Sequence, residues 1–517
     1  MIVIPRGPIA HAALALFLPL VLAAQPAILT SAALDRSVAF FNAMENEPVV
    51  NAIPNAESAA WLRANIPLLD CPDADLTEIY FFRWWSFRKH LRRDPDTGGR
   101  FALTEFITKP RPVSSALGHH LAEGRWLRDP RYLDETALYW LRGGPDGGPQ
   151  PHLHKYSQWT AYAVWQRALA TGDKKFAVSL LDDLVRDYAQ WEKEKQRPDG
   201  LFWQNDVWDA MEESISGGRK AKNIRPTINS YMFGNAQAIA ALARLAGRAK
   251  LAVEFDAKAA ALKQLMLATL WDADAKFFKV RPAAGGALSD AREAIGFLPW
   301  YFHLPGAGIA AGYEAAWAQF TDERGFRAPF GLTTAERRHP LFRSHGTGTC
   351  EWDGAAWPFA TSQTLTALAN FLHDSPAQGV VSGRDWFDAF ITYTRSQRYD
   401  GRPYIGEYLD ETTGQWLKGR NERSRYYNHS TFADLVVTGL AGLRPRADDT
   451  VELAPLLPSD TWPWFCLDGV PYHGRSLTIL WDRDGARYGH GAGLHVLADG
   501  KEIAHAATVM PLLGKLP

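Results

Sequence analysis

The sequence predicts a mainly α protein whose helical hairpins stack side by side and close into a ring, followed by a small β-rich appendage. Three observations predict it. Between about Leu69 and Leu443, apolar residues recur at helical spacing, as in Ala161, Val164, Trp165 and Ala168, and again in Ala177, Leu180, Leu181, Leu184 and Tyr188. The roughly twelve helical segments read this way are joined alternately by short turns and by longer, aromatic-rich loops. Beyond Arg444, short alternating or apolar stretches lie between glycines, which is the pattern of strands.

Taken in order, residues 1–24 read as a secretory signal peptide. Arg6 supplies the positive charge, an apolar run extends from Ile9 to Ala24, and Ala23 and Ala24 offer small residues for cleavage. The run is shorter than the roughly 20 residues a membrane span needs. The expected location is therefore secreted or periplasmic, with no transmembrane span in the mature chain. Residues 25–74 form a polar lead rich in Asn and Pro. Residues 75–444 are the helical body. Its breaks are typical helix stops and starts: Thr171-Gly172-Asp173, Gly247 after Ala236–Ala246, Pro305-Gly306 after Ile295–Leu304, and Asp374-Ser375-Pro376 after Thr364–His373. Residues 445–517 are the β appendage, with Val451–Leu453, Ser476–Trp481 and Gly493–Val496 as strands. Trp462-Pro463-Trp464-Phe465 is its anchor to the body.

The chain has 517 residues, a net charge of −1 and 20 tryptophans. Near-neutral charge argues against a nucleic-acid binder, which would carry a basic face. The tryptophan load favours a very large core or an aromatic-lined cleft. Cys71, Cys350 and Cys466 are too few for a disulfide framework; one pair is possible, and the sequence does not choose it.

Loops on a rigid scaffold carry chemistry. In a hairpin ring the short turns fall at one end and the long loops at the other. The long loops Trp203–Gly217, Phe326–Trp357 and Pro403–Tyr427 hold the clustered acids and tryptophans. Glu351-Trp352-Asp353-Gly354-Ala355-Ala356-Trp357-Pro358 brackets a carboxylate between two indoles at a helix entrance. Indole faces stack on the C–H faces of sugar rings and carboxylates accept from hydroxyls, although a packed aromatic turn has the same appearance. Glycosidic hydrolysis needs two carboxyls flanking the scissile oxygen. Asp206, Asp209, Glu212 and Glu213 lie within eight residues among Trp203, Trp208 and Met211, a crowding that raises carboxyl pKa values as a general acid requires. Glu407, between Gly406 and Tyr408, is the second candidate.

These motifs resemble those of the six-hairpin, (α/α)6-barrel glycosidases: trehalase, processing α-glucosidase I (glycoside hydrolase family 63) and mannosylglycerate hydrolase. Trp352-x-Gly354-x-x-Trp357-Pro358 matches the W-x-G-x-x-W-P signature of that group's sugar pocket. Met211-Glu212-Glu213-Ser214 stands at the acid motif. Gly406-Glu407-Tyr408, the Thr413-Gly414 turn and Tyr427-Asn428-His429-Ser430-Thr431-Phe432 stand at the general-base motif and the helix after it. Phe82-Arg83-Trp84-Trp85 resembles the stretch at the first hairpin. The resemblance implies an inverting glycoside hydrolase acting on a carbohydrate substrate, with Glu212 as acid, Glu407 as base, and Trp352, Asp353, Trp357, Arg83, Trp84, Trp85, Tyr408, Tyr427 and His429 around the sugar. The families carry Asp at the acid position with Gly two residues earlier. Here these are Glu212 and Ala210, so Asp209 stays open as the acid.

Other polar stretches at hairpin entrances add His119, Tyr156, Trp159 and Trp208 as substrate contacts. Arg225 and Arg337 would suit a carboxylate-bearing sugar or aglycone, although a surface arginine is the ordinary reading. His152-x-His154 and Asp272-Ala273-Asp274 lack the spacing of metal sites, so neither metal nor cofactor is expected. Two rivals remain. A polysaccharide lyase on a similar toroid would use His119, Tyr156, Tyr426 and His429. A non-catalytic carbohydrate-binding protein would keep the aromatic walls without turnover.

Overall fold

A computed structural model describes residues 28–109, 111–306, 312–346, 349–375, 379–419 and 421–517; the segment 1–24 read as a signal peptide lies outside them. Six inner helical segments form a ring. They are Leu117–Gly124, Thr160–Thr171, Pro226–Leu245, Leu298–Tyr301, Pro358–Asp374 and Ala433–Leu435, the last continuing as a π-helical turn Val436–Leu440. Each packs on the next, and Ala433–Leu435 returns to Leu117–Gly124, which closes the ring.

The outer layer is Ala74–Lys89, Arg131–Arg142, Leu181–Lys195, Ala249–Thr269, the short pair Tyr313–Trp317 and Ala318–Thr321, and Gly383–Ser396. The fold is thus the (α/α)6 barrel, with its fifth hairpin cut short. Burial follows the layers. Pro226–Leu245 buries residues all round, as a helix enclosed on every side must. Ala249–Thr269 buries only the stripe Ala252, Phe255, Ala259, Leu262 and Met266. At the Thr171-Gly172-Asp173 break, the Asp173 carboxylate accepts from the Phe176 N–H at 3.1 Å and starts the next helix.

The lead is more structured than its composition suggests. It holds helices Ala32–Ala43 and Asn55–Asn65, which pack on Ala74–Lys89. Strand Leu68–Asp70 joins the appendage as the edge of a five-stranded antiparallel sheet, followed in order by Trp464–Tyr472, Arg475–Asp482, Gly493–Ala498 and Lys501–Ala506. Three residues pairing with a strand nearly four hundred positions away leave no local sequence signal. Trp462 packs on Phe387 of the outer helix Gly383–Ser396 with ring centroids 5.4 Å apart, tying the appendage to the barrel. Cys71, Cys350 and Cys466 are all free thiols. Among the described residues no helix is long and apolar enough to cross a membrane.

Candidate active site

A cavity of about 650 Å³ opens at the barrel end that carries the long loops. Glu212, Glu407, Tyr156, Trp357, Tyr427 and His429 line it, so six of the residues singled out in the sequence meet in one hollow. Its floor is a pile of rings: Phe359 lines the cavity, His119 lies 4.4 Å beneath Phe359, and Trp159 lies 5.0 Å from His119.

The loop that presents Glu212 is built on a buried guanidinium. Arg225 donates to Asp206 at 2.5 Å and to Asp209 at 2.7 Å, and all three side chains are inaccessible to solvent. Asp206 also accepts from the Ser214 hydroxyl at 2.8 Å, and Glu293 accepts from the N–H groups of Ile215 and Ser216. A side chain at Gly217 would run directly into the Asp206 carboxylate. Ala210, where resemblance to the family predicts glycine, takes a left-handed backbone at φ 60°, a conformation that glycine adopts most easily. Glu212 follows two residues later and reaches the cavity. Burial, and after it the nearby Glu407 and Glu105 charges, push its carboxyl up to about 7. Asp209 is engaged by Arg225 and does not line the cavity, whereas Glu212 does.

The tryptophan loop is a stack. Trp352 lies 4.3 Å from Trp357, and Trp357 lies 4.6 Å from Tyr408, all near parallel. Ala356 and Leu409 exchange backbone hydrogen bonds at 3.0 Å, which holds the stack in register. Arg343 bridges Glu351 to Asp410 and Glu411, joining the same two loops. At Gly354 an added Cβ would approach Phe342 to 2.6 Å, so glycine is required for the close crossing. Among the described residues of this loop, Trp357 and Cys350 line the cavity. Burial pushes the Cys350 thiol up to about 11. Glu407 is 5% exposed; Lys418 pairs with it at 3.0 Å and Ser424 donates to it at 3.1 Å. His429 is pushed down to about 3 by burial, so its ring is neutral.

Other sequence candidates stand elsewhere. Trp352 and Tyr408 back Trp357 without lining the cavity. Asp353 is buried and accepts from the His345 N–H at 3.0 Å. Arg83, Trp84 and Trp85 are core residues. The lead helices cover the outer side of their helix, and Arg83 is held by Tyr393, Gln397 and Ser430. Trp159 and His119 lie below the floor. Trp208 packs edge-on to Tyr156 at 5.4 Å beside the mouth. Arg337 caps the backbone carbonyls of Glu323 and Arg327 far along the loop. Arg225 is the clamp described above, not a surface or substrate arginine. Tyr426 packs on Phe82 and Trp85, so of the residues named for a lyase Tyr156 and His429 line the cavity while His119 and Tyr426 do not.

Sequence reading missed Glu105, Phe106, Lys109, Arg111, Lys155 and Arg423, all on the cavity wall. Lys109 and Arg423 sit over the Phe106 ring at 5.2 and 4.6 Å, and Lys155 over Trp208 at 5.0 Å. Thr104-Glu105-Phe106 sits beyond a hairpin with no motif around it. Its one signal was an acid beside an aromatic ring, and the sequence holds many such pairs.

Among solved structures, one named Sialidase is 50% identical and superposes with a TM-score of 0.91 over 94% of this chain, which is 45% of that one. The present chain therefore spans less than half the length of that relative. The mannosylglycerate hydrolase of Thermus thermophilus, assigned to family GH63 and solved with glucose, is 15% identical at TM-score 0.53, covering 69% of this chain and 99% of its own. The GH78 rhamnosidase of Bacillus sp. GL1 is 16% identical at TM-score 0.55, covering 80% and 40%. These two share the fold. Residues 443–505 match the C-terminal domain of glycosyl hydrolase family 65. Residues 109–430, which contain Glu212, Glu407 and the tryptophan stack, match the mannosylglycerate hydrolase MGH1-like glycoside hydrolase domain, and the chain belongs to that family.

Proposed function

We propose that the protein is an exo-acting glycoside hydrolase that cleaves with inversion of the anomeric centre. The observation that carries this is the pairing in one cavity of two unlike carboxyls from separate loops. Glu212 is held near neutrality by burial, while Glu407 is ion-paired with Lys418. Environments that differ in this way assign acid and base. Glu212 gives its proton to the glycosidic oxygen as the C–O bond breaks. Glu407 takes a proton from the water that attacks the anomeric carbon from the opposite face. Trp357 offers an indole wall to the sugar ring. The ring-stacked floor stops the cavity below and supports binding of a chain end rather than a chain interior.

The cationic mouth, with Lys109, Arg111, Lys155 and Arg423, supports including acidic glycosides among the trial substrates, as does the name of the 50% identical Sialidase. The apolar N-terminal segment supports action outside the cytoplasm. The test is a screen of the full chain on a glycan and aryl-glycoside library beside Glu407→Gln. Hydrolysis by the wild type, lost by about 10³-fold or more in the variant, is expected. An unsaturated sugar product would assign a lyase instead, and tight binding without any turnover would assign a binding protein.

A further inference from the structure

Buried acids in this protein are almost all matched by donors. Glu123 accepts from the N–H groups of Phe432, Ala433 and Asp434 at 2.9 Å each. Glu293 accepts from Ile215 and Ser216, Asp206 and Asp209 share Arg225, and Asp434 pairs with Arg125 at 2.8 Å. Glu105 is different. Its residue is 5% exposed, yet among the described residues no lysine, arginine or backbone N–H reaches its carboxyl. Its neighbours are the Tyr427 hydroxyl and the neutral His429 ring, whose Nδ1 lies at 3.5 Å. The remaining side faces the cavity that holds Glu212 and Glu407.

The turn that carries it is fixed. The Asn428 N–H donates to the Glu105 carbonyl at 3.0 Å, the Asn428 side chain donates to the Thr104 carbonyl at 3.3 Å, and the Thr104 hydroxyl donates to the Phe106 carbonyl at 2.8 Å. Beyond Tyr427 and His429, the hydrogen-bonding capacity left on this carboxyl is directed at the hollow, where a ligand hydroxyl can take it up. The fold gives Glu105 no cationic partner, but holds its backbone rigidly against the hollow.

We propose that Glu105 is a third working carboxyl of the cavity, a substrate contact that reads one hydroxyl of the sugar bound beside Glu407. This rests on the glycosidase reading. Two carboxylates facing one cavity repel, and burial together with the Glu407 charge pushes Glu105 up to about 8. Arg423 and Lys109 oppose that rise from the mouth, while Glu212, Tyr156, Tyr427 and His429 face the same space. In the protonated form that this environment favours, Glu105 can donate to a hydroxyl oxygen as well as accept from its hydrogen.

The test uses the full chain on the p-nitrophenyl glycoside of the sugar that the wild type hydrolyses, and on its 2-, 3-, 4- and 6-deoxy analogues. Glu105→Ala is expected to lower kcat/KM on the parent by about 10- to 100-fold, the size of one such hydrogen bond. On one deoxy analogue alone, variant and wild type should agree within about threefold, because the contact is already gone. Glu105→Asp, which keeps the carboxyl group but withdraws it by one methylene, should show the same single-position effect and serves if the alanine variant does not fold. Equal loss on every analogue, or no loss on the parent, overturns the proposal while leaving the glycosidase reading intact. A wild type that hydrolyses no glycoside overturns both.

Discussion

Replacing Glu212 by Gln and Asp209 by Asn separates the two acids of one loop by kind of effect. Glu212 faces the cavity and makes no ion pair among the described residues, so Glu212→Gln removes a proton donor and little else. A general acid is worth about 10²- to 10⁴-fold, or roughly 3–5 kcal/mol of barrier at 1.36 kcal/mol per decade. That loss should appear on an alkyl or sugar leaving group. On a glycosyl fluoride of the same sugar, whose departure needs no protonation, it should shrink to less than about tenfold. Asp209 is buried at 2.7 Å from Arg225, so Asp209→Asn leaves a guanidinium with Asp206 alone. Breaking a buried pair costs about 3–5 kcal/mol, and the surviving Asp206 contact puts this case near the lower figure. The variant should unfold at lower temperature and lose activity equally on both leaving groups, as a displaced loop would. The assay is kcat/KM on the glycoside and the fluoride, with thermal unfolding of each variant. A fluoride-rescued Asp209→Asn of wild-type stability, beside a fully active Glu212→Gln, would refute the reasoning and make Asp209 the acid.

Other outcomes follow from the same geometry. Because Glu212 acts protonated and its carboxyl is pushed up to about 7, the alkaline limb of kcat/KM on the glycoside should begin there and fall by about tenfold per unit well above it. The fluoride should show a much weaker fall; equal falls would detach the limb from Glu212. Trp357→Ala empties the middle of a three-ring stack and should cost about 3–5 kcal/mol in denaturant unfolding, with a raised KM. Trp357→Phe, which keeps a ring, should recover most of both, and an unchanged KM in the alanine variant would remove the indole from the sugar site. Gly217→Ala should destabilise by about 1–3 kcal/mol, as overpacking does, and lower kcat through the displaced Asp206 carboxylate. A variant of full stability and activity would contradict the placement of that loop.

The ring of hairpins was legible because its period is written in the helices. An apolar stripe such as Ala252, Phe255, Ala259, Leu262 and Met266 belongs to a one-sided outer helix, whereas the inner helix Pro226–Leu245 is buried nearly all round, its polar Thr227, Asn229, Ser230 and Asn235 included. The cavity acids Glu212 and Glu407 were legible because each sits in a long loop amid aromatics. Arg83, Trp84 and Trp85 misled for a physical reason. An aromatic-rich stretch looks the same whether it lines a pocket or fills a core, and only the two lead helices packed over it decide the matter. Asp209 and Arg225 read as site residues because charge in a loop suggests chemistry, whereas here it holds the loop together. Glu105 left no trace, since its meaning lies in what does not touch it, and absence of donors is a property of three dimensions.

The most direct measurement of the account is the anomeric configuration of the first-formed sugar, followed by NMR in the opening minutes of hydrolysis before mutarotation. Glu212 protonating the leaving oxygen while Glu407 activates water on the other face predicts the anomer opposite to that of the substrate. Product released with the substrate's own configuration would mean that one of these carboxyls bonds to the sugar, and would contradict the central claim.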